Sequence, residues 1–533
     1  MGTESFISPY GYQLSQSGLQ LKEAGNIVAL LNEFRKFRDG WLYLKLGKPL
    51  MLESADPDMR LYELGQGYYA AALSTSFALP GVIKLTNLHN GSSTKLSLGV
   101  QFSEFQIDMS QELLALVAIE AHVSSSIYLR SSDTGHSHPA ALHPDWTVQL
   151  PFNVERRSSG IFVEIMDELL AVKYVSIERD VSNILIWNWK SGLLLNRIEC
   201  LSMSCTFGFL GTDSLLLSQS IKDAGVNVVV YTNVRSASVP SPDSRAVFDI
   251  SQYPMAKPSF EFGFPEFSQG AHAYLLMRSE PAPTLGSTGP AKFMPRPSSR
   301  IVQLSMSVVQ SVGPQRGLRQ YHIFLSKTQI LKCMKMYDDA PTAKLGPGSE
   351  ADSESPIRIP WERWGEYATR WFGTPAAMSP WICRTHGTRF IQAHPYVGDD
   401  DGGNEHPLEY LSVLEFHQQR FDEWPSSGAT SISPCGIRSK GGSTSIGTVQ
   451  TRCSKDDAVF VDIIDETVPS YTPFNGQILV TRLPYRIVTR RRPVPKHSGW
   501  MMDNNLIIGM PSWQGDELEN MQNEHMTIYT PMA

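Results

Sequence analysis

The feature that most restricts the fold is a strand-pair pattern that recurs three times. Glu112-Leu113-Leu114-Ala115 leads to Ile127-Tyr128-Leu129 and Thr134-Gly135; Glu168-Leu169-Leu170-Ala171 leads to Ile184-Leu185-Ile186-Trp187 and Ser191-Gly192; Ser214-Leu215-Leu216 leads to Val228-Val229-Val230-Tyr231. Each reads as an inner strand, a turn and a second strand closing in a polar turn. The units begin at residues 112, 168 and 214, a spacing within or slightly above that of four-stranded propeller blades. Such units repeat because a blade cannot bury both faces alone and must pack each against a neighbour until the ring closes.

The segment Ile184 to Gly192, ILIWNWKSG, reads as the third strand of a WD-type blade with its exit turn. Apolar residues alternate, Trp187 is placed to pack between blades, and Gly192 permits a positive φ. From Trp41 onward the chain is written in short runs rich in Val, Ile, Leu, Tyr and Thr, punctuated by Gly, Ser, Asn and Asp, as antiparallel strands are. Helix-length periodic segments between them are nearly absent, which excludes a doubly wound α/β sheet. The expected fold is therefore all-β: a WD-type β-propeller of about seven blades, within six to eight, preceded by one short helix.

The organisation follows from the same text. Residues 1–22 read as a disordered N-terminus, 23–40 as an amphipathic helix with Ile27, Leu30, Leu31 and Phe34 on one face, 41–515 as the propeller, and 516–533 as a flexible tail. Pro, Gly and Ser concentrate at 280–300, 340–356 and 426–445, read as long loops between blades because strand text resumes after each without a change of composition.

Charge and motifs narrow the function classes. With 46 basic against 53 acidic side chains and a net charge of -7, the chain offers no overall attraction for nucleic acid or an anionic membrane. The basic run Arg490 to Arg492 reads as a solvated edge. No leader-like apolar segment and no run near the roughly 20 apolar residues that span a bilayer appears, and the six cysteines form no CxxC pair. The expectation is a cytoplasmic or nuclear protein with reduced thiols.

Candidate chemistry is sparse. Cys383, His386 and His394 have no fourth ligand at convincing spacing for zinc, and Asp399 to Glu405 lacks the alternating acids of a calcium loop. Ser131-Ser132-Asp133-Thr134-Gly135 matches the front of an Asp-box turn, but His138 stands where its aromatic belongs. No GxSxG elbow, Walker loop, HExxH pair or dinucleotide fingerprint is present. Thus no catalytic, metal or cofactor-binding residue is expected, and binding is favoured over enzymatic activity; carboxylates scattered over several blades would leave no linear motif, so a hydrolase with channel carboxylates is the alternative. The box Pro360-Trp361-Glu362-Arg363-Trp364-Gly365 with Thr369-Arg370-Trp371-Phe372 has two readings. Trp361, Trp364, Arg370 and Trp371 could form a protein-recognition surface, since Trp and Arg dominate binding hot spots; the plainer reading is an aromatic plug between blades.

Several boxes, in this order, resemble the region following the F-box in the F-box-like proteins of mushroom-type fungi: Leu31 through Trp41 with Tyr62-Glu63-Leu64, Thr134-Gly135 with His138-Pro139-Ala140, Leu169 to Gly192, the 360–372 box, and Leu483-Pro484-Tyr485-Arg486 followed by Met501-Met502-Asp503 and Ile507-Ile508-Gly509. The resemblance implies the substrate-recognition half of an SCF-type ubiquitin ligase subunit, whose partners are a protein substrate and, through an F-box, a Skp-family adaptor. Nothing before Glu23 matches the Leu-Pro-x-Glu start of an F-box, so the adaptor contact is implied only if an F-box lies upstream. A propeller scaffold with no ligase link is the further alternative.

Overall fold

The alternation of the repeat units becomes sheet structure along the whole chain. The computed structural model describes residues 19–21, 27–53, 58–74, 78–121, 123–154, 161–176, 178–221, 225–236, 247–267, 271–278, 293–295, 299–310, 317–339, 355–374, 383–396, 407–416, 450–453, 459–503, 505–511 and 525–531. Among these, seven sheets of four or more strands follow one another in chain order. Each is a blade, and the fold is a seven-bladed β-propeller with an N-terminal helix.

Blade one comprises Met59–Gly65, Tyr68–Leu73, Val82–Asn87 and Ser93–Ser97. Blade two comprises Glu104–Asp108, Leu113–Ala121, Ser124–Ser131 and Asp145–Gln149. Blade three comprises Phe162–Met166, Leu169–Ser176, Val181–Asn188 and Leu193–Cys200, and blade four Cys205–Gly211, Ser214–Ile221, Gly225–Thr232 and Phe260–Gly263. Blade five is built from Ala271–Arg278, Ile301–Gln310, Gly317–Ser326 and Thr369–Thr374. Blade six begins with Thr385–His386, Arg389–Pro395 and Leu408–Glu415, then takes Tyr485–Arg490 before Val459–Ile464.

Blade seven joins the two ends of the chain. Gly499–Asp503, Leu506–Met510 and Met526–Tyr529 are completed by Leu50–Leu52, with Leu50 opposite Ile528 and Leu52 opposite Met526. The tail expected over 516–533 therefore contains a structural strand, with Met526 to Tyr529 all buried. A four-residue strand leaves too short a pattern to stand out.

Apolar clusters fill all seven gaps between neighbouring blades, which is why the ring holds. Trp146 of blade two meets Trp187 of blade three at 5.9 Å, the inter-blade position expected for that Trp. The gap between blades seven and one is filled by Met501, Ile508 and Ile528 against Leu64, Tyr69 and Ala71. Each fully buried Leu, Ile or Val side chain there contributes on the order of 1.5–3 kcal/mol.

The repeat units are real blades but their strands are shifted by one. Leu113–Ala121, Leu169–Ser176 and Ser214–Ile221 are second strands, and the ILIWNW strand is third as expected. The innermost strands are shorter or carry carboxylates, so they read less clearly as strands. Helix α1, Ile27–Leu42, takes the place of the 23–40 helix. Two helices were not expected: α2, Lys327–Asp338, and α3, Trp361–Ala368, both inserted before the last strand of blade five. The Ser326 hydroxyl caps α2 by accepting from the Gln329 N–H at 3.3 Å, and Ile330 and Met334 bury one side of it. Most of the loops expected at 280–300 and 340–356, and all of 426–445, lie outside the described residues, as do 1–18. Among the described residues no helix is long and apolar enough to cross a membrane.

Candidate functional site in the central channel

The tryptophan-rich box lies mostly in the interior. Trp364, Trp371 and Arg370 are 2%, 1% and 0% exposed, and Trp361 is half-buried. On α3 the Trp361 ring lies over Gly365, where a Cβ would stand 2.2 Å from the indole. Trp364 donates its Nε1–H to the Gly263 carbonyl at 3.0 Å, and Trp371 is wedged among Phe264, Tyr321 and Phe474 at 5.2–5.8 Å. Arg370 donates to the carbonyls of Leu483 (2.8 Å), Thr481 (3.0 Å) and Val468 (3.2 Å) and to Ser470 Oγ (2.8 Å), beneath the Tyr485 ring. Burial lowers its pKa to about 10. These side chains hold the hairpin Ser470–Phe474 and Gln477–Thr481 against blade five. Of the four, a partner docking on the described surface reaches Trp361.

The other sequence candidates separate in space. Cys383 and His386 lie at the inner edge of blade six, where His386 Nδ1 is 3.5 Å from Asp503 Oδ1, while His394 sits at the far end of the next strand. Among the described residues no three His, Cys, Asp or Glu side chains converge on a metal-sized point. Residues 399–405 lie outside the described residues. Ser131 to Gly135 form a hairpin turn in which the Gly135 N–H donates to the Ser131 carbonyl at 2.8 Å, and the His138 ring meets Trp189 edge-on at 5.0 Å. Arg491 lies 4.2 Å over the Phe460 ring, so the basic run is partly a packing element.

A different set of residues meets where the first strands line the ring axis. Glu63, Glu104 and Glu164 come from blades one, two and three, Arg278 from blade five and Cys383 from blade six. The Arg278 guanidinium lies 5.4 Å from the ring of Phe162 in blade three. Blades three and five are not neighbours, so that contact crosses the axis.

The electrostatics of these groups are those of a narrow, protein-walled channel. Burial pushes the Glu63 carboxyl up to about 7, against the pull of Arg278 and of the Leu64 N–H. Burial raises Glu104 to about 8; the Phe105 N–H, donating to Glu104 Oε1 at 3.0 Å, opposes this, and Glu63 adds to it. Glu164, also raised by burial, reaches about 7 despite Lys327 and the Phe209 N–H, which donates to Glu164 Oε2 at 3.2 Å. Burial, then the Glu63 charge, pushes the Cys383 thiol up to about 12, which makes it a poor nucleophile. Glu104 and Glu164 nevertheless keep some solvent contact, as groups facing a channel do. Carboxyls near neutrality can donate or accept a proton.

A polar belt, mostly of turns between first and second strands, ties blades seven, one, two, three and four together in succession. Gln66 of blade one donates to Asp108 Oδ1 of blade two at 3.0 Å, Gln111 of blade two to the Asp167 carbonyl of blade three at 2.7 Å, and Arg235 of blade four pairs with Asp167 Oδ2 at 2.6 Å. The Gly67 N–H of blade one donates to Asp503 of blade seven.

No family model and no curated protein matches this chain. Among solved structures it is similar to a Dos1 propeller at 9% identity and a TM-score of 0.31, covering 92% of this chain and 96% of that one. It is also similar to the β-propeller domain of the Trilobed protease from Pyrococcus furiosus (7% identity, TM-score 0.24, 50% and 88% covered). A third is the uncharacterized protein lmo1340 from Listeria monocytogenes EGD-e (11% identity, TM-score 0.28, 51% of this chain covered), of which the chain spans 64%. The blade count rests on the sheets themselves.

Proposed function

We propose that this chain is a protein-interaction propeller that serves as the substrate-recognition part of an F-box-type ubiquitin ligase subunit. The observation that carries the reading is the attachment of α1 to the ring. Trp41 is 2% exposed in the gap between blades six and seven, and the Arg389 guanidinium covers its ring at 4.5 Å and that of Phe37 at 5.5 Å. Arg389 is itself held by Glu415 at 3.0 Å, and Arg486 pairs with the same carboxylate. A module joined ahead of α1 would thus be carried on a fixed lever, as a ligase needs to present a substrate. The order of sequence boxes supports the same reading. The test is co-purification from cells of the source organism: recovery of a Skp-family adaptor with the protein encoded by the full transcript is expected. A transcript without an F-box, together with no recovered adaptor, reduces the role to a scaffold without a ligase link.

A second reading is favoured by the channel glutamates: a hydrolase that uses one carboxyl as general acid and another as base. It requires turnover of a chromogenic glycoside, ester or peptide that Glu63→Gln or Glu104→Gln abolishes while the fold is kept. A panel with no turnover by the intact protein ends it.

A further inference from the structure

The charged groups on the ring axis are unusual in what they do not do. Arg278, Glu63, Glu104 and Glu164 feel one another electrostatically, yet among the described residues none of them is in an ion pair within 4.0 Å. Arg278 Nε is closed off from solvent and has no hydrogen-bond partner, and the guanidinium's aromatic contact is the Phe162 ring. Glu104 and Glu164 each accept one backbone N–H, which leaves most of their acceptor capacity unused. Guanidinium and carboxylate groups screened from bulk solvent are normally paired, because an unpaired one carries much of its desolvation cost; Glu63 is buried, and Arg278, Glu104 and Glu164 are half-buried. Here opposite charges share one channel but are held apart.

We propose that the central channel binds a zwitterionic small molecule, its carboxylate pairing with Arg278 and its ammonium group seated among Glu63, Glu104 and Glu164. A simple cation would leave Arg278 unpaired, and a simple anion would face three carboxylates. A molecule with one charge of each sign satisfies both and explains why the protein keeps them separate. Arg is suited to the carboxylate end by its planar fork of donors. The other titratable groups facing the site are Lys327, Cys383, Tyr62 and Asp503; Lys327 is a second cation, beside Glu164, and its ammonium donates to the Phe209 carbonyl at 2.7 Å. Affinity should rise with pH through about 7 to 8 as Glu63, Glu104 and Glu164 ionise. The inference is independent of the ligase reading, and it needs no turnover, so loss of the hydrolase reading leaves it standing.

The test is calorimetric titration of the full chain with unbranched ω-amino acids from glycine to 8-aminooctanoate, each beside the alkylamine and alkanoate of the same length. One length is expected to bind at least tenfold tighter than both singly charged controls. Arg278→Gln and Glu104→Gln should each weaken it tenfold or more, with the unfolding temperature of each free variant measured alongside, and Arg278→Lys should recover part of the loss. If no member of the series binds, or the amine or the acid alone binds as well as the zwitterion, the proposal is overturned. Should Arg278→Gln fail to fold, the ligand series still decides, because the comparison lies within the intact protein.

Discussion

Glu104 illustrates at the residue scale how burial sets the behaviour of this protein. Its carboxyl rises from an ordinary 4.5 to about 8, and Glu63 and Glu164 rise to about 7, in each case chiefly through burial. A carboxyl with a raised folded pKa holds its proton in the folded state where the unfolded chain has released it, so folding is favoured at low pH and penalised as pH rises through the folded value. The urea midpoint should therefore fall between pH 5 and pH 9, each carboxyl contributing on the order of 1–3 kcal/mol once channel solvent is allowed for. Replacing all three by Gln should flatten the profile; an unchanged slope in the triple variant would remove the channel carboxyls as its source. Arg370 makes the opposite case, a buried cation whose Nε and Nη1 donate to three carbonyls and a hydroxyl. Arg370→Met strips four acceptors of their donor at once and is expected to cost about 3–5 kcal/mol, read as a lowered denaturation midpoint. A loss below about 1 kcal/mol would mean that the 470–481 hairpin is not held by this residue.

At the scale of elements, the same logic applies to α1, whose most buried aromatic anchor is Trp41. Trp41→Ala should cost about 3–5 kcal/mol in the local packing and release α1 from blades six and seven. Limited proteolysis should then cleave within 27–42 well before the blades, whereas cleavage unchanged from the parent protein would show that Phe34 and Phe37 suffice. The elements differ in how far the sequence declares them. Blades two, three and four could be read because their second and third strands are contiguous, apolar on both faces and separated by short turns. Helices α2 and α3 interrupt blade five and bury only two apolar side chains each, Ile330 and Met334 in one and Trp364 and Ala368 in the other, and blade six takes its fourth strand out of chain order, so neither leaves a local repeat. The plug formed by the 360–372 box was visible as a possibility; which of its residues end up inside depends on the 470–481 hairpin, about a hundred residues away. The channel glutamates were missed, although Tyr62-Glu63-Leu64 and Val163-Glu164-Ile165 each place one acid between apolar neighbours within a strand. That pattern is the signal that could have found them.

For the molecule as a whole, ring closure depends on a short sheet contact of three residue pairs. Six of the seven gaps join blades that are consecutive in the chain, so the covalent backbone keeps those partners near each other. The seventh, between blades seven and one, is closed by packing and by Leu50–Leu52 pairing with Met526–Tyr529 from the other end of the sequence. Three paired residues are a short seam, and Met51 in it is 55% exposed. Local opening free energies follow the amount of buried apolar contact and protected backbone hydrogen bonding, so this seam is where the ring should open first. Hydrogen exchange should be faster for the amides of blades one and seven than for those of blades three and four. Removing residues 525–533 should accelerate exchange in blades one and seven much more than elsewhere, because Leu50–Leu52 loses its partner while the gaps between blades two and five keep theirs. Uniform acceleration around the ring would instead mean that the seven blades open as one cooperative unit. In that case the Gln66, Gln111, Arg235 and Asp503 bonds would be the better explanation of how closure at one seam is felt from blade seven through blade four.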